Sequence, residues 1–202
     1  VLRISDEGMG YVATKDAFEN YRLTFEYKWG KLRRPSKYVR NSGLLLHGHG
    51  PDGAAGNRWI SSVECQLAQG CEGDFILIRG KGKEGERVDS TLSSYISLGD
   101  DKRPRWDPKE GKLTKYTGRQ FWWNDHQPFF KELIDTRGKN DRASPLGEWT
   151  KVEATCDGDM ITIKVNGYTV NEAVNVSPAK GKVAFQGEGY EVFFRNLQLH
   201  AL

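Results

Sequence analysis

Nine consecutive residues near the start of the chain alternate strictly between apolar and polar side chains. In Tyr21–Trp29 the apolar residues fall on odd numbers and the polar ones on even numbers. A repeat of two places successive side chains on opposite faces of an extended backbone, so the segment predicts a β-strand with one buried face. A helix needs apolar residues every three to four positions, and no segment sustains that spacing.

Further segments of this kind follow, separated by turn residues. The predicted strands are Ser42–Gly48, Ile60–Leu67, Asp74–Arg79, Trp149–Cys156, Met160–Asn166, Tyr168–Val174, Lys182–Gln186 and Glu191–His200. Asn166-Gly167 favours a type I′ hairpin turn, and a change of phase in the last strand predicts a bulge near Arg195-Asn196. About ten strands at this spacing predict an all-β fold, a two-sheet antiparallel sandwich.

Residues 99–147 interrupt the pattern with an irregular stretch rich in aromatic and charged residues, in which Phe129–Asp135 alone is compatible with a helical turn or two. An irregular stretch of this length is usually functional. The alternative is a hydrophobic plug that covers one end of the sandwich. With no internal repeat and no linker, the sequence favours a single domain over residues 1–202, with this segment as an insert.

Composition limits the possible partners. Thirty basic against 27 acidic residues give a net charge of +3, which is too small and too mixed to make nucleic acid the leading partner. The mean hydropathy of −0.66 and the lack of a long apolar run exclude a membrane span. Of the three cysteines, Cys65 and Cys156 share strand parity with apolar residues and are expected to be buried. Whether Cys65 pairs with Cys71 stays open.

Two pairs of polar residues occupy predicted strand faces. Glu64 and Gln66 share a face, about 6.6 Å apart along the strand, and Gln186 and Glu188 do the same near the end of another. A carboxylate beside an amide can bind adjacent sugar hydroxyls or act as a base with an orienting neighbour. The alternatives are a solvated sheet face for the first pair and a simple hairpin turn for the second.

Histidines and aromatic residues complete the candidate site. His47 follows a buried run and shares a face with His49; two neutral ligands without an acidic partner are weak evidence for a metal. We therefore predict no metal ligands and no cofactor, although a divalent cation remains an alternative. The predicted catalytic residues are Glu64, Glu188 and His47, and the predicted substrate-binding residues are Gln66, Gln186, Arg79, His126, Trp122 and Trp123.

The chain lacks the acidic array of jelly-roll endoglucanases, in which carboxylates alternate along one strand. Glu64 is followed two residues later by Gln66, so a two-carboxylate displacement would have to recruit Glu188 from a distant strand. Such carboxyl pairs lie about 5–5.5 Å apart in retaining enzymes and about 6.5–9.5 Å apart in inverting ones.

Seven short motifs in order along the chain resemble the 3-keto-disaccharide hydrolase domain family. They are Asn41–Leu45, Ser62–Leu67, Gly73–Phe75, Gly147–Trp149, Val165–Gly167, Phe185–Gly189 and Phe194–Leu197. The resemblance implies a concanavalin A-like lectin/glucanase jelly roll, found usually in exported bacterial proteins that handle sugars. We therefore expect a secreted or periplasmic protein that acts on a carbohydrate substrate and is similar to glycosyl hydrolases.

A ketone at C3 of a sugar permits a route that needs a single base. Removal of the acidified C2 proton gives an enolate that expels the C1 substituent, and water can then add to the unsaturated sugar. Glu64 or Glu188 is the candidate base, His47 or Arg79 the enolate stabiliser, and His126 the acid. The sequence thus predicts a glycoside-cleaving hydrolase or lyase/hydratase acting on 3-keto-glycosides or related sugars.

Two alternatives remain at this point. In a non-catalytic carbohydrate-binding module, Trp106, Trp122 and Trp123 would stack on sugar faces while the polar strand residues orient the hydroxyls. In a structural or adhesion domain, the aromatic residues of the insert would pack against the sandwich.

Overall fold

The computed structural model describes residues 1–202 as strands and turns. It contains no helix, so none is long and apolar enough to cross a membrane. Phe129–Asp135, whose sequence is compatible with a helical turn or two, forms turns and irregular backbone instead. The strands are β1 (Leu2–Ile4), β2 (Met9–Ala13), β3 (Tyr21–Arg33), β4 (Gly43–His49), β5 (Ser61–Gln66), β6 (Phe75–Ile78), β7 (Gly80–Lys81), β8 (Arg87–Val88), β9 (Thr91–Leu98), β10 (Pro104–Trp106), β11 (Lys112–Lys115), β12 (Gln120–Phe121), β13 (Thr150–Asp157), β14 (Met160–Val165), β15 (Tyr168–Ser177), β16 (Lys182–Glu188) and β17 (Tyr190–Ala201).

Two antiparallel sheets contain most of these strands. The nine-stranded sheet has the order β1-β17-β3-β13-β14-β15-β9-β10, with β11 also paired to β9. The six-stranded sheet has the order β12-β6-β5-β4-β16-β2, and β7 and β8 form a separate ribbon. The predicted all-β antiparallel sandwich is confirmed.

The core lies between the two sheets. All five apolar side chains of Tyr21–Trp29 are buried there, as the alternation predicts. Phe25 of β3 meets Phe185 of β16 edge to face with ring centroids 5.1 Å apart, and Phe185 lies 4.6 Å from Phe194 of β17. Aromatic pairs at such separations add to the free energy gained by burial. They hold the six-stranded sheet against the nine-stranded one.

The local predictions for turns and bulges are confirmed. Asn166 and Gly167 have φ values of 47° and 85°, as a type I′ turn requires. The register of β17 against β3 shifts between Arg195 and Gln198. All three cysteines are free and buried, so Cys65 and Cys71 do not pair.

The insert at 99–147 contributes β10, β11 and β12 and otherwise runs as turns and irregular backbone. Trp106, Phe121 and Trp123 are buried and belong to the same apolar cluster as the sandwich core. These aromatic side chains of the insert therefore pack as the hydrophobic plug considered above.

Candidate functional site

The outer face of the six-stranded sheet carries a group of polar side chains. Val63 and Cys65 of β5 point into the core, so Glu64 between them points outwards. Phe185 of β16 likewise points inwards and sends Gln186 and Glu188 to the outer face. Strand β4 lies between β5 and β16, so the acids from two distant parts of the chain are one strand apart.

A glycine on the intervening strand makes their approach possible. A Cβ atom at Gly43 would lie 2.9 Å from Cδ of Glu64 and 2.6 Å from Oε1 of Gln186, which is closer than real Cβ contacts come. The carboxyl group of Glu64 and the amide of Gln186 therefore meet above the backbone of Gly43, which has no side chain. Any larger residue at position 43 would displace them.

These residues open onto a cavity of about 450 Å³, within the range of small-molecule sites. Part of its wall is apolar, because Leu77, Ile78 and Trp59 contribute to it. The polar residues of the lining are grouped around Glu64 and Glu188. The lining residues are Ala55, Gly56, Arg58, Trp59, Glu64, Leu77, Ile78, Arg79, Arg119, Gln186 and Glu188.

Burial dominates the electrostatics of Glu64, whose exposed fraction is 4%. Loss of hydration disfavours the charged form and raises the pKa of Glu64 from 4.5 to about 8. The neighbouring negative charge of Glu188 acts in the same direction, whereas Arg119 and Gln186 oppose it. Glu64 therefore keeps its proton at neutral pH.

Glu188 has a wetter and more polar environment. Burial also raises its pKa, but Nδ2 of Asn41 donates a 2.6 Å hydrogen bond to its Oε2 and stabilises the charged form. Arg34 and Arg119 favour the charged form as well. The two acids thus differ in environment, an arrangement in which one carboxyl group can act as an acid and the other as a base.

Three arginines supply positive charge to the cavity: Arg58, Arg79 and Arg119. Arg79 is tethered, because its Nη2 donates to the carbonyl oxygens of Thr117 and Gly118 at 2.8 and 2.7 Å. These bonds tie the end of β6 to the backbone immediately before Arg119.

The placement of His47 is a correction to the sequence analysis. Simple alternation would put His47 on the same face as Gly43, but the register of β4 against β5 shifts between Leu46 and His49. His47 takes a left-handed conformation with φ of 52°, and its ring packs edge to face against Tyr21 in the core. Burial lowers its pKa to about 4, and it does not line the cavity.

Gln66 and His126 are also outside the cavity. The Oε1 atom of Gln66 accepts hydrogen bonds from the backbone N–H groups of Leu67 and Ala68, so its amide shapes a turn. His126 of the insert is 1% exposed and lies beside Cys71. Neither side chain is positioned to bind a substrate at Glu64.

The insert tryptophans are placed differently from the prediction as well. Trp123 is 1% exposed and belongs to the core, and its backbone N–H donates a hydrogen bond to Oδ1 of Asp74. Trp122 is half-buried, with the guanidinium of Arg103 4.9 Å from its ring centroid. Neither residue lines the cavity.

Four residues at the site were missed by the sequence reasoning: Asn41, Arg58, Trp59 and Arg119. Asn41 precedes a predicted strand and lies within a family motif, which is the one signal that pointed to it. The other three lie in turns, whose approach to the sheet depends on tertiary packing.

Comparison with known proteins identifies the family. The sequence model of the 3-keto-alpha-glucoside-1,2-lyase-like domain matches residues 1–200. The chain belongs to this family. The resemblance described above is therefore confirmed, and it assigns the chain to a carbohydrate-related group. No curated protein is significantly similar to the chain.

Two solved structures are similar in fold. A candidate glycosyl hydrolase from Parabacteroides distasonis ATCC 8503 is 18% identical, with 97% of this chain and 85% of that chain covered and a TM-score of 0.53. The carbohydrate-binding module CBM66 from Bacillus subtilis is 7% identical, with 98% and 86% covered and a TM-score of 0.53. At these identities the likeness shows the jelly-roll sandwich alone.

Proposed function

We propose that the chain cleaves 3-keto-glycosides by elimination in the cavity between Glu64 and Glu188. The observation that carries the proposal is the pair of acids converging over Gly43, one of them deeply buried with a pKa near 8. The family match supports the substrate class and the elimination step.

Glu188 acts as the base and Glu64 as the acid. The carboxylate of Glu188 takes the proton from C2, and the electron pair of the broken C–H bond moves towards the C3 ketone as an enolate. The enolate collapses to a C1–C2 double bond and breaks the bond from C1 to the glycosidic oxygen. That oxygen receives the proton of Glu64, so the products are an unsaturated keto sugar and an alcohol.

The remaining groups of the cavity bind and stabilise. Arg58, Arg79 and Arg119 supply positive charge for the enolate oxygen, and the stabilisation of developing charge usually lowers an enzymatic barrier more than any other single effect. The ring of Trp59 offers an apolar surface for the face of the sugar. General acid or base catalysis by each carboxyl group contributes about 10²–10⁴-fold.

The test compares two substrates with different leaving groups. A 4-nitrophenyl 3-keto-glucoside has a good leaving group that needs no protonation, whereas a methyl 3-keto-glucoside needs an acid. We expect Glu188→Gln to lose about 10²–10⁴-fold in kcat on both substrates. Glu64→Gln should lose a similar factor on the methyl glycoside and little on the nitrophenyl glycoside. NMR spectroscopy should detect the unsaturated sugar, and deuterium at C2 should slow its formation.

Glu148→Gln is the matched control, because Glu148 is an exposed carboxylate on a surface turn. It should behave as the wild type on both substrates. Full activity of both Glu64→Gln and Glu188→Gln would contradict the proposed site, and the absence of turnover by the wild-type protein would contradict the proposed function.

The binding-module alternative has little support from the insert tryptophans. It required Trp106, Trp122 and Trp123 to stack on sugars, but Trp106 and Trp123 are buried in the core. Trp59 is the aromatic ring that lines the cavity, which fits a compact single-sugar site better than an extended stacking platform.

A further inference from the structure

Three metal-ligating side chains meet where the insert covers the turn between β5 and β6. Cys71 and Asp74 come from that turn, and His126 comes from the insert, 55 residues beyond Cys71. One ligand atom from each lies within 4.8 Å of the others. None of the three lines the cavity of Glu64 and Glu188, so the cluster is a separate feature.

The spacing of the cluster matches a tetrahedral ion. Zinc binds sulfur at about 2.3 Å and imidazole nitrogen at about 2.0–2.1 Å, so the edge between these two ligands in a tetrahedron is about 3.6 Å. The Sγ atom of Cys71 and Nε2 of His126 are 3.6 Å apart. The ligand oxygen of Asp74 lies within 4.8 Å of both atoms.

The three side chains are deeply buried, and His126 has few hydrogen-bond partners there. Cys71 is 2% exposed, Asp74 is fully buried and His126 is 1% exposed. The Nδ1 atom of His126 has no hydrogen-bond partner. Its Nε2 contacts only the sulfur of Cys71, a weak partner for a buried imidazole.

Asp74 is held in place as metal-ligating carboxylates commonly are. Its Oδ1 accepts a hydrogen bond from the backbone N–H of Trp123 at 2.8 Å, and its Oδ2 accepts one from Nε2 of Gln120 at 3.0 Å. Each carboxylate oxygen retains a second lone pair that is free to bind an ion.

We propose that Cys71, Asp74 and His126 bind one Zn²⁺ ion that fastens the insert to the six-stranded sheet. A thiolate and a carboxylate cancel the charge of the ion, and the neutral imidazole adds none, so the filled site is electrically neutral inside the protein. The mixed sulfur, nitrogen and oxygen set suits Zn²⁺ better than Mg²⁺ or Ca²⁺, which prefer oxygen.

The test measures metal binding directly on the whole chain. The purified protein is stripped with a chelator, reloaded with Zn²⁺ or Co²⁺ and separated from free metal. We expect one equivalent of zinc by mass spectrometry of the metal. The Co²⁺ form should show the thiolate-to-cobalt charge-transfer band of a cysteine ligand and the visible bands of a tetrahedral ion. The melting temperature should rise with added Zn²⁺.

Variants separate this cluster from adventitious binding. Cys71→Ser and His126→Gln should each weaken zinc binding at least 10-fold, and Cys71→Ser should abolish the charge-transfer band. Cys156→Ala is the matched control, because Cys156 is a buried cysteine outside the cluster, and it should bind like the wild type. Should the variants fail to fold, the wild-type cobalt spectrum still decides. Less than a tenth of an equivalent of zinc, or a cobalt form without a thiolate band, would overturn the proposal.

Discussion

Replacing Glu64 by Gln should change how the stability of the protein depends on pH. The folded protein holds this carboxyl group in a buried site that raises its pKa from 4.5 to about 8. The unfolded chain releases the proton near pH 4.5, whereas the folded protein keeps it until about pH 8. The folded state therefore binds more protons in this window, and its stability falls as the pH rises. Below pH 4.5 Glu64 is protonated in both the folded and the unfolded state, so it does not lower the free energy of unfolding there.

The magnitude follows from the size of the shift. Each pKa unit corresponds to about 1.36 kcal/mol, so the change from 4.5 to about 8 costs the wild type up to about 5 kcal/mol at pH 8 and above. Glutamine resembles the protonated carboxyl group and does not titrate. The free energy of unfolding of Glu64→Gln, relative to the wild type, should therefore increase by about 1.4 kcal/mol per pH unit between pH 5 and 8.

Urea unfolding at half-unit pH steps measures this difference. Other buried acids are present in both the wild type and Glu64→Gln, so much of their contribution to the pH dependence of stability cancels in the difference between the two proteins. Glu148→Gln, which removes an exposed carboxylate outside the cavity, is the matched control. A difference for Glu64→Gln that stays constant between about pH 5 and 8 would refute the raised pKa of Glu64.

Three further predictions test the site and its surroundings. Gly43→Ala should lower kcat at least 10-fold, because its Cβ would displace the carboxyl group of Glu64, and should lower the free energy of unfolding by about 1–3 kcal/mol in urea titrations. Gly167→Ala is the control, because Gly167 lies in an exposed hairpin with φ of 85°; it should lower the free energy of unfolding by about 1 kcal/mol and leave kcat unchanged. An equal loss of kcat in Gly43→Ala and Gly167→Ala would argue against a local effect at Gly43. Asn41→Ala removes a hydrogen bond to charged Glu188 and should move the acidic limb of the kcat/KM profile upwards by about one pH unit or more. An unchanged profile would show that Glu188 is not the base.

Strand alternation accounts for most of what the sequence predicted correctly. The period of two in β3, β5 and β16 fixed which side chains enter the core, and that parity alone sent Glu64 and Glu188 to one side of a sheet. Their convergence depends on which strands are neighbours, and the pattern within a strand carries no information about that. The strand pattern predicted the two-sheet antiparallel sandwich, and the family resemblance narrowed this prediction to a concanavalin A-like jelly roll.

The errors have physical causes that a local pattern does not reveal. His47 followed the expected parity until the bulge in β4 turned it into the core. His126 and Trp123 belong to an insert without periodicity, so nothing in the sequence indicated their burial. Arg58 and Arg119 reach the cavity from turns, and the folded path of those turns depends on contacts with the sheet beneath them.

The order of strands in the six-stranded sheet determines when Glu64 and Glu188 come together during synthesis of the chain. Strand β16 lies between β4 and β2 and carries Glu188, yet it is the last strand of that sheet to leave the ribosome. A nascent chain that has already formed β4 and β5 thus holds Glu64 without its counterpart. The same late strand fills the gap beside β2, so the arrival of Glu188 and the closure of the sheet are a single event.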